Sequence, residues 1–255
     1  MSLSFDISLS RRWPFAFLVQ ALAGTNDERM QRQRDDDIEI HCAYASDFPA
    51  LLREEDILDE QDWADISRQR NRDLRRRAIA IRVLLRNSLG RLFEYKVEAP
   101  RWRFARTSYG RLVLADGQPQ AYFSISHTRG ASVIALSKVR PVGIDIEALD
   151  SETDTDALVT GLSRREQITV GRLDPQARSK ALLKLWTLKE AYTKLIGVGL
   201  AADLPSYEFR MAPSRDGRYC GSEDHARETH FETWFIKNHQ STFCVSLAGA
   251  ATTFD

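Results

Sequence analysis

The sequence predicts an α+β fold, and three observations carry that prediction. Two long helical patterns, over residues 72–92 and 175–196, stand among short stretches of strand character. The chain runs through the order strand, helix, strands twice, with Arg140-Pro141 at the join. Both helical patterns end at glycine, near Gly90 in the first half and at Gly197 and Gly199 in the second. No internal sequence repeat accompanies this repeated order.

Taken in order, residues 1–37 read as an extension, partly helical, with a polar linker over 25–37. Its apolar run, 15–23, follows Arg11 and Arg12 as a secretory signal would, but Pro14 and Gln20 interrupt it and it is too short to span a bilayer. Residues 37–45 alternate into a first strand, and 47–53 and 60–67 read as short helices. The 72–92 helix has an apolar stripe of Leu74, Ala78, Ile81, Leu85 and Leu89. Arg75, Arg82 and Arg86 line a neighbouring edge, where solvent exposure is expected. Arg77 falls beside Ile81 and Leu84 in the apolar sector, where an arginine should be paired because an unpaired buried charge is costly.

Residues 102–107 and 111–114 read as strands around Tyr109-Gly110, and Asp116-Gly117-Gln118-Pro119 as a turn. Three strands follow, at 122–126, 131–138 and 142–147. A short helix is expected at 163–170, the long one at 175–196, and closing strands at 207–211, 230–237 and 242–248. The expected division is therefore an extension over 1–37, a first half over 38–139 and a second half over 140–255.

Composition narrows the function classes. A chain of 255 residues that is 43% hydrophobic can bury one large core or two modest ones. Lys+Arg and Asp+Glu both number 36, so net charge points to neither a polyanion nor a membrane surface. Three separated cysteines, Cys42, Cys220 and Cys244, have no metal-ligand spacing and read as reduced thiols in a cytoplasmic protein. Arginines crowd 68–86, but without interleaved aromatics for base stacking they make a poor nucleic-acid surface.

The chemistry concentrates in two stretches. In Val142-Gly143-Ile144-Asp145-Ile146-Glu147 the alternation puts Asp145 and Glu147 on one face of a strand and Ile144 and Ile146 on the other. In Leu185-Trp186-Thr187-Leu188-Lys189-Glu190-Ala191-Tyr192-Thr193-Lys194 helical spacing stacks Trp186, Glu190 and Lys194 on one side. Leu185, Leu188, Tyr192, Leu195 and Ile196 lie roughly opposite. Three carboxylates and a lysine on rigid elements suit Mg²⁺ with a phosphate bound to it. The bland alternative is a solvated acidic face with a surface Glu190/Lys194 pair.

Gly143 to Glu147 and Trp186 to Lys194, with Phe123-Ser124-Ile125-Ser126-His127-Thr128 upstream, closely resemble three ordered motifs of the phosphopantetheinyl transferases. The length resembles the longer, surfactin-synthetase type, in which two similar α+β halves are related by a pseudo-twofold axis. The resemblance implies Mg²⁺-dependent transfer of 4'-phosphopantetheine from coenzyme A to a serine of an apo acyl or peptidyl carrier protein, with Mn²⁺ an alternative metal. Adenosine 3',5'-bisphosphate would leave, and the protein would be a cytoplasmic monomer containing an internal pseudo-dimer. By the same resemblance Asp145, Glu147 and Glu190 would bind the metal. Glu190 would accept the serine proton, directly or through water. Lys194, and less directly Lys189, would meet the phosphates. Ser126 and His127 match a phosphate-contacting pair, Arg77 a basic residue near the ribose 3'-phosphate, and Arg111 a lysine near the adenine. Arg111-Leu112 stands where the family has Lys-Pro. Glu166 matches a supporting glutamate. The carrier is expected at the edge formed by residues 196–204.

Two readings of other classes compete. The arginine-rich segment could be an RNA or phosphoinositide patch, whose binding would be salt-sensitive and metal-independent. Asp145 and Glu147 could instead serve a Mg²⁺-dependent phosphatase or nuclease, which would turn over substrate without any carrier.

Overall fold

A computed structural model describes residues 37–149, 155–199, 202–210, 220–221 and 229–250 of the chain. Of the extension expected over residues 1–37, residues 1–36 lie outside the described residues, as do Leu200 and Ala201 in the expected docking edge.

The first half opens with β1 (Ile38–Tyr44), followed by the short helix α1 (Phe48–Leu51) and by α2 (Glu60–Ser67). A capping box starts α2: Asp59 accepts from the Asp62 amide while the Asp62 side chain accepts from the Asp59 amide. Asn71 caps α3 (Arg72–Leu92) by accepting from the amides of Asp73 and Leu74. Then come β2 (Phe104–Arg106), β3 (Leu112–Leu114), β4 (Tyr122–Thr128) and β5 (Ala131–Ser137). The antiparallel sheet has the order β1-β5-β4, and α3 packs on it.

The second half repeats this plan. It opens with β6 (Val142–Leu149), continues through α4 (Thr155–Thr160), α5 (Arg164–Gly171) and the long α6 (Pro175–Ile196), and closes with β7 (Phe209–Arg210), β8 (Cys220–Gly221), β9 (Thr229–Lys237) and β10 (Thr242–Ala250). Its antiparallel sheet has the order β6-β10-β9, and α6 packs across it. In each half, then, the first strand pairs with the last and the last with the one before it. A two-stranded ladder, β2-β3 or β7-β8, intervenes. The α+β expectation holds, and the 60–67 and 175–196 helices have the expected limits.

The two sheets meet where β4 lies against β6, with the Ile144 amide donating to Ser124 Oγ at 3.1 Å. Arg140 ties the join: it donates to Asp37 at 2.7 Å and to the Ala250 carbonyl at 2.9 Å. Ile144 and Ile146 are fully buried, as the alternation required.

The arginines of α3 depart from expectation. Arg86 is completely buried and Arg82 nearly so, while Arg77 is half-buried and Leu74 is exposed. Arg86 meets Asp62 and Asp59, Arg82 meets Asp62 and Asp65, and both guanidinium groups sit over the Phe104 ring. A helical wheel cannot foresee this, because the aspartates arrive from α2, a separate element. Among the described residues no helix is long and apolar enough to cross a membrane.

Candidate active site at the junction of the two halves

Gly143 is the first requirement of the site. A Cβ there would lie 1.9 Å from the Ala191 carbonyl oxygen, so only glycine lets α6 rest directly on β6. That contact sets Glu190 and Lys194 beside the acidic face of β6. On the other flank β4 presents Ser124, Ser126 and Thr128 toward β6, one every second residue.

Side chains of three elements converge on Asp145, which is almost fully buried. Lys194 Nζ donates to Asp145 Oδ1 at 2.6 Å and to Ser126 Oγ at 2.9 Å, and Ser126 donates to the same Oδ1 at 2.7 Å. Such charge-assisted bonds are the strong ones. Thr128 donates to Glu147 at 3.1 Å. Burial pushes the Glu147 carboxyl up to about 7, helped by the negative charges of Asp145 and Glu190. Burial and Asp145 likewise raise Glu190, against the opposing charge of Lys194. The three carboxylates therefore share one region of negative charge, which the Lys194 ammonium offsets in part.

Among the described residues no group of three His, Cys, Asp or Glu side chains lies close enough together to hold a metal ion. The donor set nonetheless fits a hard divalent cation. The Oδ2 atom of Asp145 is buried with no hydrogen-bond partner, and the carboxylates of Glu147 and Glu190 act on the same region, beside Lys194 and the Ser126 hydroxyl.

The opposite face of β4 carries Ile125 and His127 into a cavity of about 370 Å³ shared with Arg77, Arg82, Arg106 and Asp65. Arg82 and Arg106 are both engaged by Asp65, whereas Arg77 has no ionic partner among the described residues. The pairing expected for Arg77 is thus not met by a side chain, and its charge faces the cavity. His127 is open to solvent but crowded by protein; desolvation, with the positive charges of Arg77 and Lys194, holds its imidazolium below the usual histidine value. A second cavity, of about 290 Å³, lies beside the first, shares Leu112 and Ile125 with it, and reaches Lys194.

Two expected contacts are placed elsewhere. Lys189 is fully buried, 2.7 Å from Glu166 and donating to the Leu204 carbonyl at 2.9 Å, so its ammonium lies inside the fold, not with Lys194. The same Glu166 accepts from the amides of Ser163 and Phe209, so its carboxylate is engaged within the fold. Arg111 donates to four main-chain carbonyls. Sequence reasoning missed Thr128 and the close approach at Gly143. Both had a signal: Thr128 lies two residues beyond Ser126 on the same strand face, and glycine inside a strand pattern marks a tight contact.

The structure thus sets a carboxylate cluster with a lysine at its edge next to a cavity lined by arginines. Residues 141–248 match the model of the 4'-phosphopantetheinyl transferase superfamily. The chain is 31% identical over 147 residues to the 4'-phosphopantetheinyl transferase HetI of Nostoc sp., covering 56% of this chain and 61% of that protein. It is 30% identical over 129 residues to the 4'-phosphopantetheinyl transferase Sfp of Bacillus subtilis, covering 51% and 55%. A phosphopantetheinyl transferase of Thraustochytrium sp. is 29% identical over 187 residues, covering 68% and 64%. The chain spans 55–64% of the length of these three relatives. Its motifs are similar to those of these transferases, as the sequence resemblance implied.

Proposed function

We propose that this protein transfers 4'-phosphopantetheine from coenzyme A to a serine of an apo acyl or peptidyl carrier protein, releasing adenosine 3',5'-bisphosphate. The carrying observation is the cluster in which Lys194, Ser126 and Asp145 bond one another beside Glu147 and Glu190, next to the cavity of Arg77 and His127. Similarity to HetI and Sfp supports the same reading.

In this reading Asp145, Glu147 and Glu190 hold Mg²⁺, or Mn²⁺ in its place. The bound ion supplies charge neutralisation at the pyrophosphate and at the departing phosphate. Lys194, anchored by Asp145 and Ser126, reaches the phosphates as a fixed positive charge. Glu190 takes the proton from the carrier serine, directly or through water. Arg77 and His127 receive the 3'-phosphate, where a guanidinium and an imidazole supply charge-assisted donors. Most of the acceleration then comes from positioning and electrostatics, as phosphoryl transfer requires.

The residues fall in this reading into an extension over 1–37 and halves over 38–139 and 140–255 related by a pseudo-twofold axis. The support is the shared strand order, β1-β5-β4 against β6-β10-β9, and the matching long helices α3 and α6. One chain thus carries both halves and acts as a monomer with an internal pseudo-dimer. Dependence on coenzyme A, together with the buried free thiols of Cys42 and Cys244, favours the cytoplasm. The carrier is proposed to dock at the end of α6, where Ile196 is exposed.

The test is incubation with coenzyme A, Mg²⁺ and a panel of apo carrier domains, read by intact mass. A carrier gaining the phosphopantetheine mass, with loss of the gain in chelator, is the expected result. Hydrolysis of coenzyme A or of nucleic acid without any carrier would replace the transferase by a hydrolase.

A further inference from the structure

Arg111 occupies a place where its guanidinium was expected to face a ligand; it lines the cavity of about 290 Å³ that reaches Lys194, but its guanidinium donates to the main chain. Nη1 donates to the carbonyls of Lys194 at 2.6 Å and Leu195 at 3.3 Å, and Nη2 to those of Phe123 at 3.1 Å and Val142 at 3.3 Å. Those acceptors lie on α6, β4 and β6, the three elements that carry the candidate site. Phe123 is three residues before Ser126, Val142 is three before Asp145, and Lys194 is itself a site residue.

The bonds also meet a local need. The last four carbonyls of a helix have no partner within it. At the end of α6 the Gly197 amide, with Gly197 at φ 79°, takes the Thr193 carbonyl, and Arg111 takes the next two. A cation there also complements the negative end of the helix dipole. No carboxylate among the described residues pairs with Arg111, so the charge is held by carbonyl dipoles alone. Only a planar fork reaches carbonyls in several directions at once; an ammonium is a point charge on a flexible stem.

We propose that Arg111 is a positioning residue that fixes the last turn of α6 against β4 and β6, and so sets the Lys194 ammonium between Asp145 and Ser126. In catalysis the proposal rests on the transferase reading, but the arrangement itself is tested without it. The loop of Thr107–Arg111 then acts through main-chain geometry and not through contact with the cofactor.

Full-length Arg111→Lys and Arg111→Gln should be compared with the wild type well below their melting temperatures. The first readout is amine labelling resolved by peptide mass spectrometry. Lys194 should react faster in both variants, while Lys189, held by Glu166, stays protected. The second is steady-state transfer. The kcat should fall by roughly ten- to a hundredfold, as expected for a reacting group displaced by about an ångström, with KM for coenzyme A near the wild-type value. A raised KM at unchanged kcat would make Arg111 a ligand contact and overturn the proposal. So would unchanged Lys194 labelling, or Lys189 and Lys194 becoming labelled together, which would assign Arg111 to global stability alone. If the wild type transfers nothing, the transferase reading fails while the labelling result still decides the role of Arg111.

Discussion

Asp145 has two carboxylate oxygens with opposite situations, and the difference explains much of the site. Oδ1 accepts from Lys194 and Ser126, while the buried Oδ2 accepts from nothing. An isolated buried acceptor is expensive, so it signals a group held ready for a partner. Arg77 is the cationic counterpart. A charge-assisted bond is worth about 1.5–3 kcal/mol, so Arg77→Met should weaken coenzyme A binding by roughly ten- to a hundredfold. Calorimetric titration with dephospho-coenzyme A should show a much smaller loss; equal losses would remove the 3'-phosphate from Arg77. His127 gives a pH signature. The unfolded chain binds its proton near pH 6.5, whereas desolvation and the charges of Arg77 and Lys194 delay protonation in the folded protein. On acidification the unfolded state therefore takes up the proton first, and stability is lost as pH falls from about 6.5 through the lower folded value. His127→Gln should flatten the melting curve against pH in that window, measured by scanning calorimetry without ligand. Parallel curves for the two proteins would refute the depressed value.

Among the elements, α6 and α3 carry different burdens. The backbone contact of α6 with β6 has no slack, since a Cβ on Gly143 would also lie 2.6 Å from the Leu195 amide. Gly143→Ala must push the helix away, and overpacking of a tight interior costs about 1–3 kcal/mol. We expect a lower melting temperature and, in folded protein, a larger loss of kcat than of coenzyme A affinity, because Lys194 and Glu190 move with the helix. Unaltered kcat would mean that the helix position is not critical. In α3 the test concerns Arg86, which is fully buried between Asp62 and Asp59. Removing one partner of a buried ion pair costs about 3–5 kcal/mol, whereas an exposed arginine is worth little. Denaturant unfolding of Arg86→Met should show a loss in the larger range; a change of a few tenths would restore Arg86 to the surface.

At the scale of the whole molecule, the candidate site residues come from both sides of the contact between β4 and β6. Ser126, His127 and Arg77 come from the first half; Asp145, Glu147, Glu190 and Lys194 come from the second. Residues 38–139 and 140–255 expressed separately should each expose the seam of β4 and β6 and fail to bind coenzyme A. A soluble 140–255 fragment with wild-type coenzyme A affinity would contradict a site shared between halves.

The sequence alone determined the alternation of β6, the span of α6 and the face shared by Glu190 and Lys194, because these depend only on strand and helix periods. It also determined the family resemblance, which the superfamily match over 141–248 bears out. It could not place the arginines of α3, since their burial depends on aspartates supplied by another helix. Nor could it supply the partners of Lys189 and Lys194, which lie five residues apart on one helix yet meet different carboxylates. The inward turn of Arg111 likewise needed the meeting of α6, β4 and β6. Periodicity fixes which way a side chain leaves its own element. Only the packed structure supplies the charge or carbonyl waiting at the other end, and that partner decides whether a charged residue holds the fold together or serves the site.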